Sequence, residues 1–342
     1  MGKILSIVIP TYNMENYLRH CLDSLLIKDG LDDVEILVVN DGSKDSSLEI
    51  ASEYESKYPY SFRVIDKENG NYGSCVNLGL KEAKGKYIKV LDADDSFNTD
   101  TFEQYVSLLK TIDVDLVLTD FLFVDESDKE VRNRRYDYIP ANKVLDFKEV
   151  CKNGLDFFNI MMHAVTYKRD NLIKMNYKQT EGVSYTDNQW VFTPMLQVKT
   201  AYHLDKFLYL YLIGREGQTV DVNVKYNSKS FRQEIKVTED MISQIKPYKD
   251  ENNIIYKGLI FWLHRRLRWI YNTVLVERRK NISADMLIDF DKFIEKESMD
   301  NYRYLDTIHY KKIRHVRMWR KNNYRLSSIF FIYCNVMAFF KK

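Results

Sequence analysis

Tyr87–Asp95, YIKVLDADD, is an apolar run that ends in three carboxylates. Side chains alternate faces along a strand, so Asp92 and Asp94 are expected to project to the same side where the strand ends. Two carboxylates so placed can hold a hard divalent cation through oxygen ligands, leaving positions open for a substrate's phosphates. That arrangement makes a phosphate a better leaving group. Two other Asp-x-Asp pairs occur, Asp113/Asp115 before a second apolar run and Asp289/Asp291 in a helical pattern. Both of these are expected to be solvated surface.

Working outward, the first hundred residues alternate strands and helices. Ile4–Ile9 reads as an apolar strand ended by Pro10, which lacks a ladder donor. Asn13 is expected to cap a helix whose stripe is Tyr17, Leu18, Cys21, Leu22 and Leu25. Glu35–Val39 is a second strand, broken by Asn40-Asp41-Gly42-Ser43. Ser46 with Glu49 has the spacing of a capping box for a helix reaching Tyr58. Phe62–Ile65, a helix over Ser74–Ala83 and the strand Tyr87–Leu91 complete the set. Apolar strands joined by helical crossovers predict an α/β fold, a mostly parallel sheet with helices on both faces. Ligands bind beyond the carboxyl ends of such strands, where Pro10–Tyr12, Asp41 and Asp92–Asp95 should converge.

Further along, Asp100 and Glu103 suggest a capped helix to Ile112, and Asp115–Val124 a strand. Glu126–Tyr138 reads as an exposed loop or hairpin. Ile160–Tyr167 is expected as a strand on the far side of the sheet, and Phe207–Tyr211 as the last strand. Beyond about residue 220 the pattern turns helical. It is clearest over Ile254–Glu277, with Ile255, Leu259, Trp262, Leu263, Leu267, Ile270 and Val274 at helical spacing. The expected division is therefore 1–220 and 221–342.

With 342 residues the chain can bury a sizeable core. Lys plus Arg number 51 against 49 Asp plus Glu, a balance that offers no global charge for nucleic acid. Cys21, Cys75, Cys151 and Cys334 are scattered without a CxxC pair, and no signal peptide is expected before Ile4. The expectation is reduced thiols in a cytoplasmic protein, without a structural zinc.

Five segments in order carry a resemblance: Ser6–Leu25, Glu35–Ser47, Asn71–Asp95, Glu181–Trp190 and Leu212–Val220. Together they resemble the family 2 glycosyltransferases of the GT-A fold, over roughly the first 220 residues. The resemblance implies an inverting transfer of sugar from a nucleotide diphosphate sugar, with a UDP-sugar suggested. It places Pro10, Thr11, Tyr12 and Asp41 at the nucleotide, a carboxylate at Asp41 suiting the uracil N–H. It makes Asp94 the ligand of Mn2+ or Mg2+ and sets Asp92 toward the ribose or metal-bound water. Asp187 falls where the family carries its general base, although Thr186 replaces the usual preceding Glu. Arg215 lies in a loop that closes over the diphosphate, its fork of donors matching phosphate. Gly73, Asn77 and Gly79 match a helix packed beneath the nucleotide, with a structural role at least as well supported as direct contact. Glu181 reads as acceptor-side support, and His163 and Trp190 as core or acceptor-pocket residues.

The tail differs. Leu326–Phe340 is strongly apolar and follows bases such as Lys311, Arg314, Arg317 and Arg320. It is shorter than the roughly 20 residues of a spanning helix. An interfacial helix on the inner face of the cell membrane and a helix docked on the protein or on a twin subunit are both open readings. A membrane contact would suit a glycan acceptor on a lipid carrier, and a homo-oligomer would suit the docked helix. Two rivals remain: a sugar-1-phosphate nucleotidyltransferase, disfavoured because Pro10–Asn13 is not a Gly-rich basic loop, and a catalytically inactive partner protein.

Overall fold

The computed structural model describes residues 2–154, 156–215, 228–277, 284–310 and 312–325. The chain divides into two compact units, Met1–Gln218 with Asn253–Gly258, and Thr219–Asn252 with Leu259–Lys342. The apolar tail Leu326–Phe340 lies outside the described residues. Among those described, no helix is long and apolar enough to cross a membrane.

The first unit is built on one sheet. Strands β1 (Leu5–Thr11), β2 (Val34–Asn40), β3 (Phe62–Asp66) and β4 (Tyr87–Val90) run parallel in the order β3-β2-β1-β4. Every residue of β1, β2 and β4 is buried, as expected of strands covered on both faces. The crossovers are α1 (Leu18–Asp23), α2 (Ser47–Lys57) and α3 (Asn71–Glu82). A Cβ on Gly79 would collide with the side chain of Val8, so only glycine lets α3 lie this close to β1. Pro10 does not end β1, which continues to Thr11 beside Asn40. Val8 points its carbonyl toward β4, accepting from Leu91 N–H, and Pro10 faces the same way two residues on. Pairing with β4 stops at Val8–Val90, so the missing N–H costs no bond.

Beyond β4 the sheet is mixed. The two-residue β5 (Ser96–Phe97) and α4 (Thr99–Thr111) lead to β6 (Leu116–Val124). β7 (Glu130–Arg134) forms an antiparallel hairpin with β6, and β8 (Val144–Asp146) pairs with a later strand. After α5 (Phe147–Lys152) comes β9 (Val165–Lys168), then α6 (Arg169–Lys174), α7 (Asp187–Trp190) and the long β10 (Thr200–Leu212). The path continues β4-β9-β6-β10-β5. The strand expected on the far side of the sheet is thus β9, inserted antiparallel between β4 and β6 at its centre. Its Val165, Thr166 and Tyr167 are all buried, which a far edge would not allow.

Three helix starts also differ from expectation. Asn13 adopts a left-handed conformation and accepts from Lys44 N–H, reaching across to the β2–α2 loop instead of capping α1. Ser46 makes no side-chain cap; Glu15 takes its N–H, and Asp45 accepts from Ser47 N–H. The cap of α4 is Asn98, which accepts from Thr101 N–H.

The second unit is helical: α8 (Ser228–Ile245), most of α9 (Ile254–Leu275), α10 (Ala284–Glu297), α11 (Met299–Leu305) and α12 (His315–Lys321). All seven apolar positions read at helical spacing in α9 are buried. One expectation fails here, since Asp291 is fully buried, paired with Arg320 at 2.6 Å and with the Tyr271 hydroxyl. Asp115 in the first unit is not free surface either: it accepts from the N–H groups of Lys199 and Thr200 and from the Asn171 amide. Asp113 and Asp289 are exposed, as expected.

Candidate active site

The strand ends of the sheet assemble the candidate residues. Leu91 N–H still bonds Val8, after which the chain turns and Asp95 N–H bonds the carbonyl of Asp92. Asp92 accepts from the Tyr72 hydroxyl at 2.7 Å and donates its N–H to the Tyr209 hydroxyl at 3.1 Å. That same Tyr209 hydroxyl donates to Asp95 at 2.6 Å, and Leu212 N–H donates to the other Asp95 oxygen at 2.8 Å. Asp95 is therefore a buried clamp holding the turn against β10. Asp94 meets Arg215 Nε at 2.5 Å, with the guanidinium carbon 5.4 Å from the Tyr17 ring centroid.

Three carboxylates packed at one strand end repel one another in a low-dielectric setting. Burial, then the charge of Asp94, pushes Asp92 up to about 7. Asp95 rises well above the usual carboxylate range for the same reasons, burial first and then Asp94 and Asp92. One oxygen each of Asp92 and Asp95 and a ring nitrogen of His163 lie within 4.8 Å of one another. His163 is buried, stacks on Tyr211 at 4.3 Å, and has an Nδ1 with no hydrogen-bond partner. Two carboxylate oxygens and an imidazole nitrogen within 4.8 Å of one another are a donor set that fits a divalent cation.

On the β1–β2 side, Asp41 N–H bonds the Thr11 carbonyl at 2.8 Å, bringing the two strand ends together. The Asp41 carboxylate accepts from Lys67 Nζ at 2.6 Å and Gly70 N–H at 2.9 Å. Pro10 and Thr11 are buried strand residues, whereas Tyr12 is 47% exposed just past the strand.

Asp187 begins α7 and is exposed, and its charge helps to raise Asp92, Tyr72 and Tyr211, which places it on the carboxylate cluster's side. Its loop is held from below by α3. The Asn77 amide donates to the Gln179 carbonyl and to Glu181, and accepts from Gln179 N–H. A Cβ on Gly73 would strike the Thr180 carbonyl. Thr186, standing where Glu was expected, is buried and donates to the Gln179 side chain at 3.1 Å. Asn77 and Gly73 thus support the loop of Asp187. Trp190 is core, under the Tyr167 and Tyr177 rings.

Four contributors escaped the sequence reading: Lys67, Tyr72, Tyr209 and Lys89. Lys89, fully buried, donates to the carbonyls of His163 and Val165, and burial lowers it to about 7. It fixes the backbone that presents His163. The available signal was a lysine interrupting the apolar run YIKV.

Residues 6–174 match the model of the family described as Glycosyl transferase family 2. Among similar proteins is the uncharacterized glycosyltransferase EpsJ of Bacillus subtilis, 31% identical over 220 residues, covering 62% of this chain and 61% of EpsJ. The chain therefore spans about three-fifths of that relative's length. The minor teichoic acid biosynthesis protein GgaB of the same organism is 26% identical over 329 residues, 91% of this chain and 35% of GgaB. The crystal structure of S. aureus TarS 1–349 with UDP-GlcNAc superposes with a TM-score of 0.66 at 18% identity, covering 94% of this chain and 93% of that one. That similarity is one of fold.

Proposed function

We infer that this chain, which belongs to glycosyl transferase family 2 through residues 6–174 and has the GT-A fold, moves a sugar from a nucleotide diphosphate sugar to an acceptor hydroxyl. The donor is a UDP-sugar, the acceptor a glycan, glycolipid or glycoprotein glycan, and the reaction an inverting displacement. The observation that carries this reading is the gathering of Asp92, Asp94, Asp95, Asp187 and Arg215 beyond one strand end, with Asp41 at the neighbouring one.

In this reading Tyr12 stacks against the base, and Asp41, oriented by Lys67 and Gly70 N–H, accepts from it. A divalent cation, Mn2+ or Mg2+, would be held by Asp94 and Asp92 with Asp95 and His163 behind them, and supplies positive charge that stabilises the leaving diphosphate. Arg215 shifts from Asp94 to the phosphate oxygens, for which its planar fork is suited. Asp187 accepts the proton of the incoming hydroxyl as that oxygen attacks the anomeric carbon from the face opposite the diphosphate. An acceptor on a lipid carrier would place the protein at the inner face of the membrane. The presence of GgaB among the relatives favours a cell-envelope polymer as acceptor.

The test is Asp187→Asn: transfer from UDP-sugars falls about 10³-fold, within the range of general-base removal, while UDP affinity holds. Turnover near that of the parent would remove the assignment. Purified protein that hydrolyses no member of a nucleotide-sugar panel with Mn2+ present would favour the inactive-partner reading.

A further inference from the structure

On the side of β4 away from β1 and β2, the sheet carries a row of rings that ends in two unmatched arginines. β10, β6 and β7 set Tyr211 beside Phe123 beside Arg132, and Tyr209 beside Phe121 beside Arg134. Directly paired residues share a face of the sheet. The contacts follow that register. His163 lies 4.3 Å from Tyr211, 4.8 Å from Tyr209 and 5.1 Å from Phe121, ring to ring. Phe123 lies 5.2 Å from Phe121 and 5.4 Å from Tyr211, and the Arg132 guanidinium carbon sits 3.8 Å above the Phe123 ring. The row is therefore continuous from the carboxylates, through His163, to β7.

Its end is electrostatically open. Arg132 is exposed, and the Arg134 Nε is buried without a hydrogen-bond partner. No carboxylate among the described residues pairs with either guanidinium. The nearest acid on the strand, Glu130, accepts from the Asn133 amide. Arg135 shows the contrast, reaching toward the buried Asp120 at 3.6 Å. Residues two apart in a strand are about 6.6 Å apart, so Arg132 and Arg134 present two forks side by side.

We propose that Arg132 and Arg134 are an anion subsite for the acceptor, which carries phosphodiester or carboxylate groups along its chain at some distance from the attacking hydroxyl. The inference rests on the transferase reading above. The nucleotide-side residues Thr11, Tyr12 and Asp41 stand at the ends of β1 and β2, so the opposite flank of the carboxylates is the one left for the acceptor. An arginine resting on a phenylalanine ring keeps its polar donors for another partner, and its fork matches an oxyanion in two places at once.

The experiment measures binding, in the presence of UDP, of fluorescein-tagged poly(glycerol phosphate), oligogalacturonate and a neutral malto-oligosaccharide of matched length. Arg132→Gln/Arg134→Gln is compared with the parent and with Lys57→Gln/Lys81→Gln, which removes the same charge from exposed sites on α2 and α3. The parent binds at least one anionic probe in preference to the neutral one. The arginine double variant weakens it about tenfold or more, as loss of two charge-assisted forks requires, while the lysine control stays within about twofold. Preference for the phosphate probe assigns a phosphodiester acceptor, and preference for galacturonate a carboxylated one. Equal binding of all three probes, or an equal loss in the lysine control, overturns the proposal. UDP affinity is read in every protein: if UDP does not bind the parent, the transferase reading fails, whereas intact UDP binding without anion discrimination sinks the subsite alone.

Discussion

Both units bury carboxylates, and the cluster beyond β4 is treated in the opposite way to those of the helical unit. In the helical unit, Asp291 is matched by Arg320, which also reaches Asp306 and lies 3.5 Å over the Tyr302 ring, and Glu234 is matched by Arg266. Among the described residues, every buried negative charge there has a guanidinium fixed against it. At the strand ends of the first unit, Asp92 and Asp95 face each other, Asp94 and tyrosine hydroxyls, with Arg215 engaged at Asp94. A pairing that neutralises charge internally contributes to a unique packing. A cluster left with surplus negative charge lowers stability and is relieved only by something added from outside, a cation or a proton.

The largest effect that would break this contrast is at Asp92. In Asp92→Asn, transfer is expected to fall about 10³-fold, the scale of losing one preorganised electrostatic contact, while the metal-free protein melts higher because a repelled charge is gone. Intact transfer with a lower melting temperature would show that Asp92 is structural. Next comes Arg320→Ala, which strands Asp291 without its cation and should destabilise the helical unit by about 3–5 kcal/mol in denaturant unfolding. UDP affinity should be unchanged, and an unaltered unfolding midpoint would mean the pair contributes nothing.

The smallest effect is in pH, where Asp92 and the buried histidines of the helical unit should contribute with opposite sign. The Asp92 value of about 7 in the fold is above its ordinary 3.8, so its contribution is fully present below about pH 4 and is lost as pH rises through 7. His264 and His315 are lowered by burial to about 4, so theirs is present above about 6.5 and lost as pH falls through 4. With EDTA present, melting of the first unit should fall between pH 4 and 7 relative to that of Asp92→Asn, in which the opposing contribution of buried His163 is retained, and Mn2+ should flatten that difference. Melting of the helical unit should weaken toward pH 4. A parent-minus-Asp92→Asn slope of the same sign as the helical unit's would erase the distinction.

Much of the candidate site was legible because its residues sit in short contiguous words. Asp41 in NDGS, Asp92–Asp95 in DADD and Asp187 in YTDN each lie at the end of a local pattern. The supporting residues were not legible. Tyr209 is 117 residues from Asp92 and reaches it only because β10 lies in register with β6. Helix caps were misjudged for a related reason: the Ser46–Glu49 spacing is a sound local signal, but Glu15 from another loop took the N–H it would have served. Likewise, Asp291 looked like a surface residue until Arg320, far along the chain, closed over it.

Alternating apolar segments and strand-end carboxylates were enough, by themselves, to determine a layered α/β architecture and the strand ends at which the candidate residues gather. Both follow from side-chain periodicity and from the backbone's need for hydrogen bonds, which are local constraints. The tertiary structure decided which carboxylate meets Arg215, which is clamped by Tyr209, and where β9 enters the sheet. It also set Arg132 and Arg134 at the end of a row of rings. Those outcomes depend on strand register and on charges brought together across long stretches of chain, and no short segment carries that information.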